Sequence, residues 1–195
     1  MGGALIQAGV SAGTVSARDI SVYDVDRAKA LAIKSKCPVL AANSVREAVD
    51  KAQYIFLCVK PQQMKELMAE ISRCVTPKQC LISIAAGVST ASLEKMLSGA
   101  VPVIRTMPNT PALVQCGMTA VTKGRYAREH HLRFAMKFFS SVGEAVSLPE
   151  KAFHAVTAVS GSGPAYLFYL AESLQKSAED LGLDRKTAEL LARQT

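Results

Sequence analysis

Residues 54–59 (YIFLCV) are apolar at every position. Successive side chains of a strand point to opposite faces, so a half-buried strand alternates apolar and polar residues. A strand that does not alternate must be covered on both faces, the condition of a parallel sheet flanked by helices. Residues 81–85 (LISIA) repeat the pattern. Residues 19–24 (DISVYD), 39–41, 101–106, 118–122 and 144–148 also read as strands. Between them, 25–36, 62–73, 89–97 and 128–141 read as helices, and Ser44-Val-Arg-Glu47 is a capping box that starts another, running to about Ala52. Strand–helix alternation with crossovers of this length predicts parallel pairing and an α/β doubly wound fold.

The pattern changes near Pro149, beyond which no strand-like run follows. Residues 151–160 read as helical, Gly161-Ser-Gly163 is expected to break the helix, and Pro164 suits the first turn of the next one. That helix carries Leu167, Leu170, Leu174, Ala178 and Leu181 on one stripe and stops at Gly182; Asp184 can cap a last helix over 185–193. The division expected is a dinucleotide-binding α/β domain over 1–149 and the start of an all-helical domain over 150–195. A doubly wound fold opens on a strand leading into a glycine-rich turn. Here Met1-Gly2-Gly3-Ala4-Leu5 reads as the end of that turn, and Thr195 falls within a helical pattern, so a fragment lacking both ends is expected.

Composition narrows the function. Hydrophobic residues make up 49% of the 195 and charged residues 20%, which is globular. The longest apolar run is six residues, against the ~20 of a membrane helix, and there is no signal-peptide pattern; the expectation is a cytoplasmic protein without a membrane partner. The five cysteines contain no Cys-x-x-Cys, against a zinc site or a disulfide framework, and no metal constellation stands out. The net charge of +7 raises nucleic acid as a partner, but the basic residues are scattered and tryptophan is absent, so none is expected and an anionic small molecule fits as well.

The candidate chemistry sits where strands end. Gly2 fits the last glycine of a G-x-G-x-x-G turn, and Asp24 follows 22 residues on, near the offset of the carboxylate that accepts from a ribose hydroxyl. Arg27 could instead meet a 2′-phosphate, so NAD and NADP both stay open. Cys58-Val-Lys-Pro61 closes the most apolar strand, with Lys60 ahead of a helix start. Ile84-Ala-Ala-Gly87 closes the next, where small residues admit a flat ring or sugar. In Met107-Pro-Asn-Thr-Pro111 two prolines stiffen the loop around Asn109. Ser160-Gly-Ser-Gly-Pro-Ala-Tyr166 offers hydroxyls and N–H groups at a helix start, where anions are favoured. No Ser-His-Asp arrangement is present; His130 and His131 read as solvated, and His154 as a core histidine.

Together, Cys58-Val-Lys-Pro-Gln62, Ser83-Ile-Ala-Ala-Gly87, Arg105-Thr-Met-Pro-Asn-Thr-Pro111, Ser141-Val-Gly143 and Ala158-Val-Ser-Gly-Ser-Gly-Pro-Ala-Tyr166 stand in an order and spacing that resembles pyrroline-5-carboxylate reductase. The resemblance covers essentially the whole chain. It implies a Rossmann domain followed by a helical dimerisation domain, in a cytosolic enzyme reducing 1-pyrroline-5-carboxylate to L-proline by hydride transfer from NADPH or NADH. It further implies that Met1 and Gly2 belong to the pyrophosphate turn, and that Cys58, Val59, Lys60, Pro61, Ile84, Ala85 and Ala86 line the dinucleotide. Asn109 would lie by the nicotinamide. Glu150 matches an acidic position near the substrate, beside Ser160, Gly161, Ser162 and Gly163. The family dimerises through its helical domain, and dimers assemble further. Its substrate loop, with a threonine at the imine nitrogen, would lie beyond Thr195, so no catalytic residue is assigned here and this stretch alone is expected to be inactive. Another Rossmann dehydrogenase with a helical domain, such as an imine reductase, and a non-catalytic NAD(P)-sensing module are the alternatives.

Overall fold

The apolar strands do sit between two layers of helices. A computed structural model describes residues 1–195. Its strands are β1 (Ser21–Val22), β2 (Leu40–Ala41), β3 (Tyr54–Leu57), β4 (Cys80–Ser83), β5 (Val103–Pro108), β6 (Gly117–Lys123) and β7 (Gly143–Ser147). The helices among them are α1 (Gly2–Ser11), α2 (Arg27–Lys36), α3 (Val45–Val49), α4 (Met64–Ile71), α5 (Thr90–Lys95) and α6 (Glu129–Ser140). After β7 the chain is helical: α7 (Phe153–Val156), α8 (Gly163–Asp180) and α9 (Arg185–Gln194).

Side chains of the central strands sort by period two into two cores. Cys80, Ile82 and Ile104 face one way, against Leu5 and Ala8 of α1 and Ala135, Phe138 and Phe139 of α6. Ile55, Leu57, Leu81 and Val103 face the other, against α3, α4 and α5 through Val45, Met64, Met68 and Leu93. Each fully buried Leu, Ile or Met contributes roughly 1.5–3 kcal/mol. This is the three-layer, doubly wound arrangement expected.

The sheet differs from expectation in two respects. Strands β3, β4 and β5 are parallel and so are β6 and β7, but β5 and β6 pair antiparallel, with Pro108 opposite Thr119. Residues 109–116 between them hold only a 3₁₀ turn (Thr110–Val114) and a left-handed Gln115, φ 60°. Parallel pairing needs a crossover of about a dozen residues or more. Strands β1 and β2 form a separate parallel pair. The run 19–24 shortens accordingly to Ser21–Val22, preceded by a 3₁₀ turn.

Local signals account for the helix starts. Ser44 Oγ accepts from Glu47 N–H (3.1 Å), as in a capping box, but the Glu47 carboxylate turns back to the N–H of Asn43 (2.7 Å), one residue before the cap. Ser89 caps α5 and Asp184 caps α9 with bonds to Lys186 and Thr187. Gly143, φ 143°, has no room for a side chain, because a Cβ there would meet the backbone of Gly117 on β6. Gly161 does not break the helical path. Residues Thr157–Gly161 form a π turn that joins α7 to α8, closed by Ser162 N–H donating to Thr157 O (2.8 Å).

His130 is exposed as expected, but His131 and His154 reverse their expectations. His154 is exposed, while His131 is buried at the start of α6. His131 Nδ1 accepts from Arg128 N–H (3.0 Å) and its ring meets Tyr54 edge-on. Burial, then the neighbouring His130 and Arg128, depress its pKa. A depressed folded-state value favours the neutral ring, so the stability it contributes is whole above the unfolded value of about 6.5 and fades as pH falls through the lower folded value. The thermal midpoint of the protein is therefore expected to drop between pH 7.5 and 5. His131→Gln, which keeps an acceptor for Arg128 N–H without titrating, should flatten that part of the curve in a calorimetric pH series.

Candidate functional site

Because β3, β4 and β5 run parallel, their carboxyl ends lie along one edge of the sheet. That edge carries 58–60, 84–87 and 108–109, and the antiparallel β6 brings Gly117–Thr119 to the same edge. Pairing with β7 adds Gly143. Gly117–Thr119 carried no functional signal in the sequence, and Gly143 carried one only through the Ser141-Val-Gly143 string; the strand reversal places them here.

Helix α1 points its N-terminus at this edge. Gly2 packs directly on the end of β3, where a Cβ would lie 3.1 Å from Cys58 Cβ. Met1 O accepts from Ala4 and Leu5 N–H (3.0 and 3.1 Å), whereas the first N–H groups of a helix, those of Gly2 and Gly3, have no intrahelical acceptor. Aligned peptide dipoles add a partial positive charge there. Cys58 retains solvent exposure, yet desolvation by the surrounding protein pushes its thiol up to about 11. It is a neutral wall, not a thiolate nucleophile. Val59 turns into the second core, and Lys60 is exposed with its ammonium free of any ion pair. Pro61 opens a 3₁₀ turn whose Gln63 Oε1 accepts from Lys60 N–H (3.4 Å).

After β4, the two alanines diverge. The Ala85 methyl is buried in the core, so only its backbone is available to a ligand, while Ala86 is exposed and Gly87 turns with φ 75°. Ile84 stays partly buried on the opposite core. The Asn109 side chain is fully engaged: Oδ1 accepts from Met118 N–H (2.8 Å), and Nδ2 donates to Ser160 O (3.3 Å) and Ser160 Oγ (3.4 Å). Asn109 thus ties the β5–β6 loop to the π turn. Beside it Gly161 meets Met107, whose Cε would lie 2.5 Å from a Cβ. Ser162 and Gly163 follow, half-buried, at the start of α8.

Asp24 stands two residues past β1, half-buried. One oxygen accepts from Asp26 N–H (2.9 Å) and the other is free. Asp26, not Asp24, caps α2, and Arg27 is the first residue of that helix. No hydrogen bond or ion pair joins Asp24 to the other candidates.

Glu150 is engaged within the protein. Its carboxylate accepts from Thr90 N–H (2.8 Å), Thr90 Oγ1 (2.7 Å) and Arg105 Nη1 (2.9 Å). Burial opposes its ionisation, but the Thr90 hydroxyl and N–H, and then the Arg105 guanidinium, prevail and hold the carboxyl below the ordinary range. Arg105 itself is only 5% exposed and lies over the Phe153 ring at 4.7 Å. Sequence reading assigned neither Thr90 nor Arg105 a role; an arginine inside an otherwise apolar strand was the available signal.

The residues present fit a dinucleotide. An open helix N-terminus on glycine suits a pyrophosphate, the exposed Ala86–Gly87 turn admits a flat group, and the free Asp24 oxygen suits a ribose hydroxyl.

Comparison with known proteins agrees with this geometry. Residues 150–195 match the family model for pyrroline-5-carboxylate reductase dimerisation, and residues 1–87 match that of NADP oxidoreductase, coenzyme F420-dependent. The pyrroline-5-carboxylate reductase of Corynebacterium melassecola is 37% identical over 97% of this chain and 72% of its own length; that of Pseudomonas aeruginosa is 39% identical over 96% and 69%. Among solved structures, the Coxiella burnetii pyrroline-5-carboxylate reductase superposes with a TM-score of 0.86 at 33% identity, covering 98% of this chain and 71% of that one. The Plasmodium falciparum pyrroline carboxylate reductase with NADP bound gives 0.87 at 26% identity, over 100% and 71%. Prephenate dehydrogenase from Aquifex aeolicus, at 15% identity and a TM-score of 0.68, shares the fold, over 89% of this chain and 65% of its own. Identity at this level over more than two thirds of the relatives' length, on a sheet edge shaped for a dinucleotide, means that the chain belongs to the pyrroline-5-carboxylate reductase family.

Proposed function

We propose that this protein reduces 1-pyrroline-5-carboxylate to L-proline with NAD(P)H, and that the edge formed by Gly2, Cys58–Pro61, Ile84–Ala86 and the Asn109 loop seats the dinucleotide. The observation that carries this reading is the open α1 N-terminus, with Gly2 in contact with Cys58 at the carboxyl end of β3. Met1 and Gly2 belong to the pyrophosphate turn, where the free N–H groups of Gly2 and Gly3 face the anion, Asp24 accepts from the ribose, and Asn109, through its bonds to Met118 and Ser160, holds the loop beside the nicotinamide. The bound cofactor supplies the hydride. A protonated C=N bond accepts hydride without a protein nucleophile, so the chain's task is positioning, which is worth ~7–11 kcal/mol in the best cases. The neutral Cys58 thiol and the absence of a catalytic triad suit that task. Glu150 and residues 160–163 lie at the substrate side in this reading, and the compartment assigned to the protein is the cytoplasm.

We assign 1–149 to dinucleotide binding and 150–195 to the helical domain. The family match beginning at Glu150 and the lack of strands beyond β7 support this division. Helix α8 has no buried residue: Leu167, Phe168 and Tyr169 are 68%, 68% and 73% exposed, with Leu170 and Leu174 alongside. Contiguous apolar patches beyond a few hundred Å² are rare on monomers. A homodimer through α8 and α9 covers this face, and no helix is long and apolar enough to cross a membrane.

Two measurements check these readings. The protein, purified as its gene encodes it, should oxidise NAD(P)H at 340 nm only with 1-pyrroline-5-carboxylate present and yield proline; Asp24→Ser should shift the kcat/KM ratio toward NADPH by roughly tenfold, the equivalent of ~1.4 kcal/mol. An unchanged ratio places Asp24 away from the ribose. In sedimentation the protein should be dimeric or larger, and the pair Leu170→Glu, Leu174→Glu, exposed in the single chain, should give a folded monomer.

A further inference from the structure

The polar cluster of Glu150, Arg105 and Thr90 lies outside the dinucleotide edge, and that seat uses none of its side-chain atoms. Its placement gives it a task. Thr90 opens α5, three residues after the Gly87 turn, so a bond to Thr90 is a bond to the helix that the 84–87 loop enters. Arg105 lies on β5 opposite Ser83 of β4, three residues before Pro108. Glu150 opens the helical segment after β7. One carboxylate therefore joins the loop after β4, the strand before the Asn109 loop and the first turn of the segment that continues into Ser160–Gly163.

The geometry of β5 reinforces this. Arg105 and Met107 are two residues apart, on the same face of the strand. Arg105 receives Glu150 and Phe153, and Met107 receives Gly161. The segment from Glu150 to Gly161 is thus pinned across β5 at both ends, with the π turn and the Asn109–Ser160 bonds closing the second end. Arg105 Nε is buried without a partner, so Glu150 is the one anion that compensates this cation, and removal of the anion would leave it uncompensated.

We propose that Glu150 is a positioning residue for hydride transfer: through Thr90 and Arg105 it fixes the substrate-side helical segment relative to the dinucleotide loop, and it touches neither substrate nor cofactor. The role rests on the reductase reading above. It differs from a plain structural tie in what its loss does. A distance error between donor and acceptor sides acts on turnover, since ~1 Å costs about 100-fold, whereas the dinucleotide seat itself stays formed.

The test is a double-mutant cycle in the protein as its gene encodes it, with Glu150→Gln, Thr90→Val and both together, assayed well below each variant's thermal midpoint. Glu150→Gln keeps the side chain's size and should lower kcat about tenfold while the Kd for NAD(P)H stays within about twofold. Thr90→Val removes only the hydroxyl bond and should lower kcat about threefold; the pair should be no slower than Glu150→Gln alone, because both act through one carboxylate. Unchanged kcat with a lowered thermal midpoint would overturn the role and leave a structural tie. A collapse of NAD(P)H binding, or strictly multiplicative losses in kcat, would overturn it too, by placing Glu150 in the cofactor seat or separating it from Thr90. Should Glu150→Gln fail to fold, Thr90→Val carries the test alone, by the same split between kcat and Kd. A wild-type protein without 1-pyrroline-5-carboxylate-dependent oxidation would instead remove the reductase reading, and this role with it.

Discussion

Burial of β3, β4 and β5 on both faces is the constraint from which the rest follows. With Ile82 and Ile104 against α1 and α6, and Leu81 and Val103 against α4 and α5, few side chains of these strands are free to carry polar chemistry. Polar and small residues can face a ligand only where the strands stop and the flanking helices begin. Parallel direction then gathers those stops at one edge, and helices that return over the sheet present N-termini there. The α1 terminus on Cys58 is the direct product of this arrangement, as is the exposed Ala86–Gly87 turn one strand further along.

Arg105 is the one charged residue on these strands, and it shapes the second half of the molecule. A guanidinium at 5% exposure needs an anion and a surface to lie on; it has Glu150 for the first and Phe153 for the second. Both belong to the segment that follows β7, so desolvating one strand residue dictates where the helical segment begins. Ion pairs of this kind add little net stability over an apolar pair, but they are unforgiving about which partner is present. The same segment then reaches Met107 and Asn109, and its path needs the extra backbone residue that a π turn supplies. Such turns are common at functional sites.

Beyond Gly163 the balance changes. Helix α8 packs against α9 and the π turn, yet buries no residue fully, and its leucines and aromatics remain open. A helix of 18 residues with this open surface accords with the match of 150–195 to a dimerisation model. The sheet is therefore self-contained, with its candidate dinucleotide edge intact, while the helical face stays open.

The strands, most helix starts and the sheet edge that carries the site could be read from the amino-acid order. Those features rest on short-range rules: period-two apolarity at 54–59, hydroxyl and carboxylate caps at Ser44 and Asp184, glycine at 182, φ 94°. Each operates within about four residues. The motif strings carried the family as well, because they are contiguous. What the linear order left open was decided by contacts between distant residues. The antiparallel turn of β5 into β6 came from a connection holding only a 3₁₀ turn, too short for the crossover that parallel pairing needs. His131 is buried and His154 exposed because Tyr54 covers one and nothing covers the other. Glu150 meets Thr90 across 60 positions and Arg105 across 45, and Asn109 meets Ser160 across 51. No local pattern encodes such pairings, since a side chain's partner is set by which element the folded sheet lays beside it.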